Sequence, residues 1–113
     1  MLINTIRLDR NVFVIQPGDF SVKNIQKLAE DIENFIKKED CDSITLDLRA
    51  LNLFDSIKIG VLAATYQFLK SANHNIFIIV NNFQAQKSIE MLGLNNATVI
   101  FDKNTNSPKY SIA

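Results

Sequence analysis

Asp55, Ser56 and Lys58 have the types and spacing to do chemistry. They open the stretch FDSIKIGVLAATYQFL at positions 54–69. An acid and a hydroxyl precede a run that turns almost wholly apolar, and one cation interrupts it. Ser and Asp are standard helix N-caps, where a side-chain oxygen accepts an orphan backbone N–H for about 1 kcal/mol. Asp55 also puts negative charge where the helix dipole favours it. Capping therefore accounts for the pair and leaves open whether Ser56 is acted upon. Lys58 fits less well, because a cation in the first turn opposes the dipole. Asp55, three residues earlier, partly offsets that. The lysine also places a positive group beside any anion held at the helix start.

Other reactive groups are sparse. His74 is the one histidine and lies in the loop sequence SANHN. A general base needs a nucleophile within hydrogen-bond reach, and a lone loop histidine reads first as a solvated turn residue. Cys41 is the one cysteine, so no intramolecular disulfide can form. Its neighbours in EDCDS are acidic, which raises a thiol's pKa and disfavours a reactive thiolate. One His and one Cys cannot assemble a zinc site of the usual ligands within one chain. The three glycines, Gly18, Gly60 and Gly93, are too far apart for a phosphate loop. No cofactor is implied, and these absences weigh against an enzyme.

The elements that must position Ser56 come from a chain of 113 residues, the size of one domain, with 47% hydrophobic residues to build a core. Twelve basic residues balance twelve acidic ones. Without a basic excess to hold phosphates, nucleic acid is not an expected partner. No apolar run approaches the ~20 residues of a membrane span, and no secretory signal opens the sequence. The expectation is a soluble, cytoplasmic domain.

Residues 3–8 and 12–16 are rich in β-branched and apolar residues around DRN and read as a hairpin. Pro17 and Gly18 break the chain. SVKNIQKLAEDIENFIKK follows as the clearest helix, with Val22, Ile25, Leu28, Ala29, Ile32, Phe35 and Ile36 on one stripe. Asp19 or Ser21 is its expected cap. SITLDL at 43–48 alternates as a strand. The Ser56 segment is expected to be a helix over about 56–71, apolar on most sides, and therefore buried or exposing a patch to a partner. IFIIV at 76–80 reads as a central strand covered on both faces. A third helix follows, capped by Asn81 or Asn82 and ending near Leu92 and Gly93. ATVIF at 97–101 closes the set, before a polar tail over 102–113. The order β-β-α-β-α-β-α-β implies a single α/β domain with a mixed, mostly parallel sheet packed by three or more helices.

ITLDLRAL, then NLFDS, then an apolar helix resembles the STAS domain family, which includes the bacterial anti-sigma factor antagonists. The family pattern is a strand ending in D-L, a short loop and D-S-S-G-L-G. Here it is matched at Asp47, Leu48, Asp55, Ser56, Ile59 and Gly60. QPGDF resembles the family's turn before the first long helix, and FQAQKSIEMLGLNNATVIFD its last helix, turn and strand. The resemblance spans about residues 5–102. It implies a non-enzymatic signalling domain whose partner is an anti-sigma factor with serine kinase activity, or another signalling protein. It also implies that Ser56 is the phosphoacceptor. Asp19, Asp55, Ser56, Ile57, Lys58 and Gly60 are the implied partner-binding residues. Ile57 stands in place of the pattern's second serine and Lys58 in place of its first glycine. The fold is expected to survive a phosphate at Ser56, because a helix N-terminus accepts an anion. Alternatives are a constitutive STAS scaffold or complex subunit, a weak homodimer, and a nucleotide or small-ligand site at the strand C-termini.

Overall fold

The computed structural model describes residues 2–18 and 24–104. Asp19 and the expected cap Ser21 lie outside the described residues, as does Val22 of the apolar stripe. The elements are β1 (Ile3–Asp9), β2 (Val12–Pro17), α1 (Ile25–Lys38), β3 (Ser43–Asp47), α2 (Leu53–Lys70), β4 (Asn75–Val80), α3 (Phe83–Glu90) and β5 (Ala97–Phe101). One sheet carries the strands in the order β1-β2-β3-β4-β5. β1 and β2 are antiparallel, and every later neighbour is parallel. The mixed, mostly parallel α/β arrangement is the expected one.

Asn11 turns the hairpin with φ of 59°. Asn is among the few residues that visit the left-handed region readily. The three parallel connections each advance one strand in the same direction. Right-handed crossovers then bring α1, α2 and α3 to one face of the sheet. On that face Ile15, Ile44, Leu46, Ile76, Ile78 and Val80 are buried with Leu28, Ile32 and Ile36 of α1 and Ile59 of α2. The register aligns Ile6, Val14, Thr45, Phe77 and Thr98 in a row on the other face. No helix covers that face among the described residues. β4 is therefore central but carries helices on one side only, and its Phe77 and Ile79 are half-buried.

The stripe foreseen for α1 is the face it buries, and Phe35 meets Phe13 edge-on at 5.2 Å. The cap is Asn24, whose side chain accepts the Lys27 N–H at 3.0 Å. At the other end, Lys70 of α2 donates to the carbonyls of Ile36, Lys37 and Glu39. A cation thus satisfies carbonyls that the helix itself cannot. Buried Asp31 accepts the Leu2 N–H at 2.6 Å and pairs with Lys27 at 2.9 Å, which ties α1 to the start of β1.

Candidate functional site

The chain leaves the C-terminal end of β3, turns through 48–52, and enters α2. Asn52 is the cap: its backbone is extended and its side chain accepts the Asp55 N–H at 2.9 Å. Leu53 is thus the first helical residue and Phe54 the second. Asp55 and Ser56 occupy the third and fourth positions, so neither caps the helix. The helix starts three residues earlier than expected because Asn52 is an equally good cap. It also keeps the acid in the first turn, where the dipole favours it.

This shift of register decides where the side chains point. Ser56 is 0% exposed, and its hydroxyl donates to the Leu51 carbonyl at 3.3 Å. Its backbone N–H donates to the Asn52 carbonyl at 2.9 Å. Gly60 is also buried; a Cβ there would stand 3.2 Å from Ile89 Cδ1 and 3.4 Å from Ile78 Cγ2. The glycine lets α2 approach α3 and β4. Ile57 is half-buried against the core, Asp55 is half-buried, and Lys58 is exposed. The sequence-named set therefore splits. Ser56 and Gly60 face inward, Lys58 faces water, and Asp19 lies outside the described residues.

Two residues of this region carried no assignment from sequence. Phe54 is 78% exposed on the first turn of α2, a large apolar side chain in water. Its signal is an aromatic two residues after a capping Asn52, which a helix start at Ser56 leaves in the loop. Arg49 is the other. Its guanidinium is buried, forks onto both Asp47 carboxylate oxygens at 2.9 Å, and reaches Asp102 at 2.9 Å. It also donates to the Asn104 carbonyl at 2.7 Å. Gln16 Nε2 donates to Asp47 at 3.3 Å, and Asn81 donates to the Arg49 carbonyl. The network links the C-terminal ends of β2, β3, β4 and β5. The signal was the spacing: Asp47 and Arg49, two apart at a strand end, project to one side.

The single histidine and the single cysteine stand elsewhere. His74 precedes β4 and lies 3.6 Å from Asp42, which precedes β3. Both are at the N-terminal ends of parallel strands, the opposite end of the sheet from Ser56. Cys41 is buried, and burial, more than its acidic neighbours, pushes its thiol up to about 11. No group of three or more His, Cys, Asp or Glu able to hold a metal occurs among the described residues. Among those residues no helix is long and apolar enough to cross a membrane. Surface cavities of about 260, 240 and 340 Å³ include no residue of 47–58, and hence none of the α2 start.

A model of the STAS domain family matches residues 3–105. No curated protein sequence matches the chain. Among solved structures, that of the anti-sigma factor antagonist SpoIIAA in its unphosphorylated form is similar, with a TM-score of 0.57 at 10% identity. The alignment covers 89% of this chain and 90% of that one. At that identity the likeness is one of fold.

Proposed function

The chain belongs to the STAS domain family, and on that premise we propose that it is a non-enzymatic interaction domain. It binds a regulatory protein, of the anti-sigma class or another signalling protein, through the start of α2. In this reading binding is constitutive and is not gated by a phosphate at Ser56. The observation that carries it is the pairing of an exposed Phe54 with a buried Ser56 in one helical turn. An aromatic side chain 78% exposed on a rigid helix is a natural anchor for a partner. A hydroxyl with no accessible surface and a carbonyl partner serves packing.

The second reading keeps Ser56 as a phosphoacceptor, and the D-S-x-x-I-G match motivates it. It requires the first turn of α2 to open, because a kinase must reach the oxygen and the product must hold three acceptor oxygens and about −1.5 to −2 charges. The two readings separate in a binding experiment with purified anti-sigma-type kinases from the same genome. Under the constitutive reading Phe54→Ala abolishes binding to the cognate kinase, while Ser56→Ala and added ATP change nothing. Loss of binding on adding ATP, with phosphate mapped to Ser56, overturns it. Binding indifferent to Phe54 removes the α2 start as the contact.

A further inference from the structure

β5 is an edge of the sheet, and among the described residues no strand pairs with its outer side. Its ladder to β4 uses alternate residues. The Asn96 carbonyl accepts the Ile76 N–H at 2.8 Å, and the Asp102 N–H donates to the Val80 carbonyl at 2.9 Å. The register between them leaves Ala97, Val99 and Phe101 with their backbone groups turned outward. Among the described residues the N–H groups of Val99 and Phe101 meet no acceptor. The Val99 carbonyl has a single partner, the side chain of Gln86, whose Nε2 donates to it at 3.3 Å. Such an edge is a template for another extended chain. α3 runs beside it in the opposite direction: Phe83 meets Phe101, ring centroids 6.0 Å apart, and Gln86 reaches Val99. Past Gln86 a cavity of about 260 Å³ opens between helix and strand, with Ile89, Glu90, Leu94, Ala97 and Val99 in its lining.

The edge decides the occupant's backbone, because only an extended chain offers N–H and C=O groups at the strand repeat. The cavity decides one side chain, an apolar one, since Ile89, Leu94, Ala97 and Val99 wall it. Glu90 is the one charged residue in that lining. Lys87, the only base of α3, sits at the other end of the groove with its ammonium 5.1 Å from the Phe83 ring centroid. A base next to the apolar side chain therefore meets its complement in Glu90. A second copy of β5 fits poorly. Its helix-side side chains, Ala97 and Val99, are packed in its own core, so neither is left to enter the cavity. We infer that the β5 edge and the adjoining flank of α3 form a docking groove for an extended protein segment. The segment adds a strand to the sheet, sends an apolar side chain into the cavity and sets a Lys or Arg against Glu90. In the free chain the Gln86 amide stands in for the N–H that the segment brings to Val99. The groove is separate from the start of α2 and does not rest on the reading of that site.

The test uses phage-displayed random peptides selected on the full chain, with amide hydrogen exchange read by NMR. In the free chain the Val99 and Phe101 amides should exchange fast and those of Thr98 and Ile100 slowly. Saturation with a synthetic form of a selected peptide should slow Val99 and Phe101. N-methylation along the peptide should abolish binding at alternate residues and be tolerated between them. Val99→Pro removes an outward N–H without touching the ladder to β4, and should weaken binding about tenfold. Gln86→Ala frees the Val99 carbonyl and should tighten it severalfold, whereas Glu90→Lys should weaken it and Phe54→Ala leave it unchanged. Circular dichroism checks that each variant is folded; if Val99→Pro is not, the N-methylated peptides on the wild type carry the test. Binders that leave Val99 and Phe101 unprotected, that accept N-methylation everywhere, or that are indifferent to Glu90→Lys overturn the inference. So does the absence of any selected binder. Peptides lost in Phe54→Ala belong to the α2 start and overturn it too, as does a concentration-dependent dimer that protects Val99 without peptide.

Discussion

Ser56→Asp is the perturbation that separates a switchable serine from a structural one. The side chain has no exposed surface, and the Leu51 carbonyl oxygen already faces it at 3.3 Å. An aspartate there turns a donor into an acceptor pointed at an acceptor. A buried charge without a partner costs about 3–5 kcal/mol. The hydroxyl's own hydrogen bond, worth about 0.5–1.5 kcal/mol, is lost as well. The helix start gives some of this back, up to about 2 kcal/mol for a partly buried anion. Desolvation still wins, and the net destabilisation is about 2–4 kcal/mol, a large share of the about 5–15 kcal/mol that a domain has. With a urea m-value of about 1–3 kcal/mol/M, the unfolding midpoint should fall by about 1–2 M. Ser56→Ala loses only the hydrogen bond and should cost about 1 kcal/mol. Lys58→Gln in the Ser56→Asp background should change little, since the ammonium is in water and the carboxylate is not. Equilibrium urea unfolding followed by circular dichroism reads all three. A Ser56→Asp midpoint indistinguishable from wild type would refute the reasoning, because the fourth residue of α2 would then reach solvent and could carry a phosphate.

Arg49→Ala should cost about 3–5 kcal/mol in the same assay, because it leaves the buried Asp47 carboxylate without its guanidinium; Arg49→Lys should recover only part, since an ammonium cannot fork onto both oxygens. Gly60→Val should cost about 1–3 kcal/mol by forcing Ile78 and Ile89 aside, whereas Gly60→Ala should be close to neutral, the helix gain offsetting a 3.2 Å contact to a mobile methyl. Asp31 is held below its ordinary value, first by the Leu2 N–H and then by Lys27, against the opposing effect of burial. A depressed carboxyl stabilises the fold above about pH 4, and the contribution is lost as pH falls through its folded pKa. Asp31→Asn should therefore lower stability at pH 7 and flatten the loss between pH 5 and pH 2, as read by thermal unfolding across that range.

The order of elements was legible because β3 and α1 carry clean periods and β4 is a short apolar run between breakers. Ile44, Leu46 and Leu48 alternate, and Leu28, Ile32 and Ile36 recur every four residues. The start of α2 was harder to read because Asn52, Asp55 and Ser56 are all capping types within five residues. The fold uses Asn52, whose side chain accepts the Asp55 N–H. That start turns Ser56 inward and Phe54 outward, so the cap decides which side chains the site presents. An apolar helix was expected to be buried or to expose a patch, and α2 does both. Ile59, Ala63 and Ala64 pack, while Phe54, Phe68 and Leu69 are exposed. The Arg49 network could not be weighed from one sequence, because its members Gln16, Asp47, Asn81 and Asp102 are distant along the chain and meet only when parallel strands align their ends.

The central claim is that partner binding at the α2 start does not pass through Ser56. The folded chain can be incubated with ATP and each purified anti-sigma-type kinase of the same genome, followed by intact mass and peptide mapping. The expected result is no phosphate on Ser56, with the Phe54-dependent complex still formed. Phosphate mapped to Ser56 of the folded chain, with loss of that complex, would contradict the account.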